Sequence, residues 1–264
     1  MTIAVHLTPI EAYPGIPRTG TIVPAPVGRL GDVGRNTMSR SVGRSRHLVG
    51  LLGPILALAL ALAAPAAAAA TRDCSDRTLE PGADLRRCDL RSAPLAGADL
   101  TNANLSMALL SGSHLDNGPD GPATRLVGAK LVRADLTDAD ISTTNLRFAD
   151  LSAATLTGVH GEDTILADAS LVGADLTGAE FFFADLARAD LRRANLTDAD
   201  VLQAHLRDAD LRRANLTGVD FTGSDLSGAD LSGARGLTTV TWSSTICPDG
   251  TNSDDNGGTC LGHL

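Results

Sequence analysis

The sequence predicts an all-β solenoid built from short, stacked extended segments, and three observations predict it. An apolar residue, usually Leu, recurs every fifth position over more than half of the 264 residues. The same pattern repeats again at twenty residues. Aromatics make up only 3% of the chain while Ala, Leu, Asp and Gly dominate, so a wide core filled by large rings is excluded and thin layers of Leu and Ala remain.

The first 70 residues are read as targeting rather than fold. Arg40, Arg44 and Arg46 precede the apolar run from Leu48 to Leu62 and an Ala-rich tract ending at Ala70, the order of a secretory signal peptide with cleavage after Ala70. Gly50, Gly53 and Pro54 interrupt the run, and no charge follows it, which disfavours a retained membrane helix. Met38 stands directly before the basic segment, so residues 1–37 are a leader or an upstream false start and residues 38–70 the signal. The expected location is extracellular, with no stable membrane insertion once the signal is removed.

Charge divides at the same place. Six basic residues but only Glu11 and Asp32 precede residue 71, leaving 16 basic and 29 acidic residues beyond it, a net of about −13. Such acidity disfavours direct nucleic-acid binding. Cys74 and Cys88 bracket the start of the repeats and Cys247 and Cys260 follow their end; two local disulfides suit an oxidising compartment. Neither a CxxC pair nor clustered His accompanies them, so no metal is expected.

The repeat occupies residues 83–235. Central apolar residues run from Leu85 to Leu115 and from Leu126 to Leu231, with a small residue such as Ala83, Ala134 or Ala229 two positions earlier, giving A(D/N)LXX. In an extended stretch Leu and that Ala share the inner side, and the residues flanking Leu point out. A Thr column follows Leu136, Leu156, Leu176, Leu196 and Leu216, and a second column is never Leu at its centre: Ile141, Gly161, Phe181, Val201 and Phe221. Phe181 is expected to fill the void left by Gly161 one coil earlier.

This segment resembles the pentapeptide-repeat family. The resemblance implies a right-handed quadrilateral β-helix with one pentapeptide per face, twenty residues per turn and about seven and a half coils, a rod on the order of 36 Å long. Asp116 to Pro122 (DNGPDGP) shifts the period by one residue and reads as a surface loop at 116–122, with Gly121 as a hidden central position. Residues 71–82 form an N-terminal cap and residues 236–264 a C-terminal cap, in which Trp242 covers the open end of the coil, held by a Cys247–Cys260 disulfide.

Twenty-residue stacking sorts outward groups into columns. Arg192 and Arg212, with Arg193 and Arg213 beside them and Arg188 and Arg207 nearby, can hold a phosphate or carboxylate, or be neutralised by Asp190, Asp208 and Asp210. His160 shares a column with Asp140, Glu180, Asp200 and Asp220, which suits a cation or a solvated acidic face. Phe182, Phe183 and Leu202 form an outward apolar column, either a contact surface for a protein partner or self-association, or a site of local packing. Asp249, Thr251, Ser253 and Asp255 alternate like calcium ligands but lack the turn Gly and distal Glu. The sequons at Asn104, Asn195 and Asn215 are by-products of the repeat.

No nucleophile is placed beside His160, so neither catalysis nor a cofactor is expected, and the function read from the residues is a secreted interaction or structural scaffold. The resemblance implies an alternative: some members of the family mimic DNA in shape and charge and inhibit or protect DNA gyrase. A secretory signal and an Arg cluster both argue against it here.

Overall fold

The computed structural model describes Cys74 and residues 77–117 and 121–264. The leader and signal segments lie outside the described residues. Among the described residues no helix is long and apolar enough to cross a membrane.

Each pentapeptide folds in the same way because its local hydrogen bonds close on themselves. The amide of the small residue donates to the carbonyl of the Leu three positions earlier, as from Ala134 to Leu131 at 2.9 Å, which makes a tight turn of the two residues between. The second of these takes positive φ, for example +65° at Gly128 and +57° at Arg133. This is a type II turn, and only Gly and a few polar residues adopt it cheaply. The Asp or Asn before Leu completes the unit: Asp135 Oδ1 accepts from the Thr137 amide at 3.1 Å and its hydroxyl at 2.7 Å. The preference for Asp or Asn in the repeat thus comes from turn closure.

Neighbouring coils pair in parallel through single bridges twenty residues apart, such as Asp140 with His160 and Asp190 with Asp210. Four faces result, named here for their central residues. Face 1 runs through Leu85, Leu105 and Leu131 to Leu231; face 2 through Leu90, Leu110 and Leu136 to Leu216. Face 3 runs through Leu95, Leu115, Ile141, Gly161, Phe181, Val201 and Phe221; face 4 through Leu100, Leu126 and Leu146 to Leu226. Central and small residues are almost all fully buried, each Leu contributing about 2 kcal/mol of apolar burial.

Two details of register depart from the sequence reading. Across the loop, bridges link Asp99 with Arg125 and His114 with Asp140, a spacing of 26 rather than twenty, so six residues are inserted and Gly121 occupies no central position. Its amide instead bonds the Asn117 carbonyl at 3.1 Å, and the stack runs on unbroken with Leu100 bonded to Arg125. Face 3 therefore begins with Leu in two coils, Leu95 and Leu115, and Leu115 lies directly under Ile141.

The second departure is at the far end. Asp220 pairs with Thr241 and Asp225 with Ile246, a spacing of 21, so the chain beyond residue 235 adds two more faces to the coil after a one-residue insertion. A short 3₁₀ turn at Leu237–Thr239 takes up the extra residue. Trp242 is thereby buried on face 3 with its ring 5.6 Å from that of Phe221, and Cys247 follows Leu226 on face 4. Cys247 is bonded to Cys260, and at the other end Cys74 is bonded to Cys88. Phe181 sits where the sequence places it: a Cβ on Gly161 would come within 2.8 Å of its ring.

Candidate functional site

The corner between faces 1 and 2 brings the four arginines together. With Val172, Ser232 and Gly233 they line an open groove of 620 Å³. The repeat unit treats the two members of each Arg pair differently. Arg192 follows Leu191 and reaches back two residues to Asp190, with Nε and an Nη at 2.8 and 2.6 Å from its carboxylate. Arg212 does the same to Asp210 at 2.8 and 2.5 Å, which holds the Asp210 carboxyl below its ordinary value. Arg192 and Arg212 also lie 3.6 Å from the carboxylates one coil on, Asp210 and Asp230.

Arg193 and Arg213 take the positive-φ position, at +60° and +62°, and are exposed. Among the described residues neither makes an ion pair. The groove thus offers two engaged and two unengaged guanidinium groups, stacked one coil apart at about 4.8 Å. The neutralisation expected from the sequence holds for half of the cluster. Arg188 and Arg207 do not join it: they lie on face 4's outer corner, where Arg188 holds Asp168 with two bonds of 2.7 Å and Arg207 holds Asp225 at 2.5 Å.

Half a coil away, the corner between faces 3 and 4 carries the apolar column. Phe182 and Leu202 are half-buried, and Phe183 is exposed at positive φ, +58°. A bulky side chain in that conformation is uncommon, and here it holds a ring in water. The sequence reading missed Phe148, which has the same conformation on the corner after face 4 and is the most exposed large apolar residue described, at 59%. Its place as the second residue after Leu146 is the signal that would have found it.

Face 3 itself is acidic and bears no Lys or Arg at its outward positions. Asp200 lies between Glu180 and Asp220, and its carboxyl is held above the ordinary value by burial and by those two charges. His160 Nδ1 lies 2.9 Å from Glu180. Near the loop, His114, Asp116 and Asp140 bring ligand atoms within 4.8 Å of one another on the surface. On face 2 the Thr and Asn columns bond each other between coils, Asn215 Nδ2 donating to Asn195 Oδ1 at 3.0 Å and Thr197 Oγ1 at 2.8 Å. The alternating acids after Cys247 do not converge: Asp249 accepts from Thr251 and pairs with His263 at 2.7 Å, which brings its carboxyl down to about 2.

Eight copies of the family profile described as pentapeptide repeats match the chain, over residues 82–117 and then in overlapping stretches from 123 to 235. The chain belongs to the pentapeptide-repeat family. Among solved structures it is similar to HetL, a pentapeptide repeat protein involved in heterocyst differentiation regulation from the cyanobacterium Nostoc sp. strain PCC 7120. Identity is 31% over 60% of this chain and 69% of that one, with a TM-score of 0.42. It is also similar to QnrB1, a plasmid-mediated fluoroquinolone resistance protein (18% identity, 63% of this chain, 87% of that one, TM-score 0.36). A pentapeptide repeat protein from the Arabidopsis thaliana thylakoid lumen matches at 21% identity over 64% of this chain and 88% of that one, with a TM-score of 0.20. No curated protein matches the chain.

Proposed function

We propose that this pentapeptide-repeat protein is an exported, non-enzymatic scaffold that binds other protein surfaces through the outward columns of its coil. The observation that carries the reading is the outward apolar column of half-buried Phe182 and Leu202 beside exposed Phe183, which is held in water at positive φ. Repeat hydroxyls such as those of Thr137 and Thr177 close turns on Asp135 and Asp175, and every described cysteine is in a disulfide. Both disulfides suit an oxidising compartment.

The test is intact mass of the protein from the medium and the cytosol of the source cell. A secreted species starting near Thr71 and about 4 Da lighter than its reduced form, as two disulfides require, supports the reading. A full-length, reduced protein confined to the cytosol overturns export. A second reading, a DNA-mimicking inhibitor or protector of gyrase, is favoured by the cation-free acidic surface of face 3. It requires inhibition of gyrase supercoiling at low micromolar protein; absence of inhibition removes it.

A further inference from the structure

The arginine groove and the apolar column lie on opposite edges of the same coil. Ten residues, half a turn, separate Val172 from Phe182 and Arg192 from Leu202, so the two edges are diagonal corners offset by half the rise of a coil. Their chemistries are complementary. One edge is a groove with an apolar floor at Val172 and the unengaged cations Arg193 and Arg213 above it. The other presents Phe182 and Phe183, with exposed Glu162 and Asp163 one coil below them.

We propose that the groove takes the Phe182–Phe183 edge of a second copy of this chain, so that molecules associate side by side in open rows. The proposal rests on the scaffold reading and names its partner. Coil spacing supplies the register. With the two coils antiparallel and Phe182 and Phe183 seated against Val172, one step of about 4.8 Å brings Glu162 and Asp163 opposite Arg192 and Arg193. The rings meet guanidinium groups whose planes also attract aromatic faces. Each molecule uses a different edge for each neighbour, so the contact is heterologous and cannot close as a twofold dimer. The net negative charge of the coil opposes association at low salt, but at physiological salt charges further apart than about 8 Å are screened and the local pairs decide.

The experiment is sedimentation velocity on the purified, disulfide-bonded protein at about 1 to 100 µM, a range that spans free energies of roughly 5 to 8 kcal/mol. The wild type is expected to form a concentration-dependent series beyond dimer. Arg193→Glu with Arg213→Glu disables the groove, and Phe182→Ser with Phe183→Asn disables the opposite edge; each double variant is expected to be monomeric. None of these side chains is in the core, so both should keep the wild-type circular dichroism spectrum and melting temperature. Mixing the two variants leaves one intact groove and one intact edge, and should restore a one-to-one complex and nothing larger. A wild type that stays monomeric at about 100 µM overturns the proposal while leaving export and partner binding to their own test. Association that persists in both variants also overturns it, by placing the contact elsewhere, for example at Phe148. Inorganic phosphate bound at sub-millimolar concentration by a monomeric wild type, and lost in the arginine variant, would make the groove an anion site instead.

Discussion

Faces 1, 2 and 4 fill their share of the axis with Leu in nearly every layer, whereas face 3 passes from Leu95 and Leu115 through Ile141, Gly161, Phe181, Val201 and Phe221 to Trp242. The difference teaches that the coil conserves volume between adjacent layers and not residue identity on each face. Gly161 leaves its own layer short, and the Phe181 ring leans into the space a Cβ would occupy. Face 3 also bears no Lys or Arg at its outward positions, so its least regular interior lies under its most acidic exterior.

Four predictions break or sharpen that contrast. Phe181→Ala empties two layers at once and is expected to destabilise by about 3 to 5 kcal/mol in urea unfolding; a loss under about 1 kcal/mol would contradict the inward ring. Replacing Cys247 and Cys260 by Ser releases a loop of 13 residues' separation and should cost about 3 kcal/mol in the same assay. Replacing Cys74 and Cys88, which close a loop of 14 residues' separation and also lie in the core, should cost a similar amount. Gly161→Ala should cost about 1 to 3 kcal/mol by crowding Phe181. In a Phe181→Leu background the penalty should shrink, and an unchanged penalty would show that the two layers are not coupled.

The smallest effect concerns the outer surface. The raised carboxyl of Asp200 means the folded chain binds its proton more tightly than the unfolded chain does. Stability from this group is therefore present in acid and is lost as pH rises through the carboxylate range. Because Asp200 is exposed and water screens its charge, Asp200→Asn should raise stability near neutral pH by at most a few tenths of a kcal/mol, with the gain vanishing below about pH 4. Melting temperatures at both pH values read the difference, and an equal gain at both would show that charge is not its source.

The inward positions were legible in the sequence because inside and outside are set by a five-residue unit that closes its own hydrogen bonds. The twenty-residue columns were legible for the same reason, which is why the Phe181 contact with Gly161 and the column of His160 with Glu180 could be placed. The six-residue insertion was not: Leu115 and Leu126 lie eleven apart, and that spacing reads equally as one unit with six extra residues or two units with one. Only pairing of His114 with Asp140 between coils distinguishes them. The division of the arginines was half legible, since Asp190 is two residues from Arg192, but Arg193 gains its freedom from a turn conformation that directs it away.

The sequence by itself determined the repeating unit, its inner and outer faces and the cysteine pairs at its ends, because each depends on contacts within a few residues or on a strict period. The tertiary structure alone decided which coil lies on which across the two insertions, that Trp242 and Cys247 continue the stack, and that the arginine groove stands diagonally opposite Phe182 and Phe183. Those outcomes depend on the backbone pairing of distant segments, and a single inserted residue shifts every column beyond it.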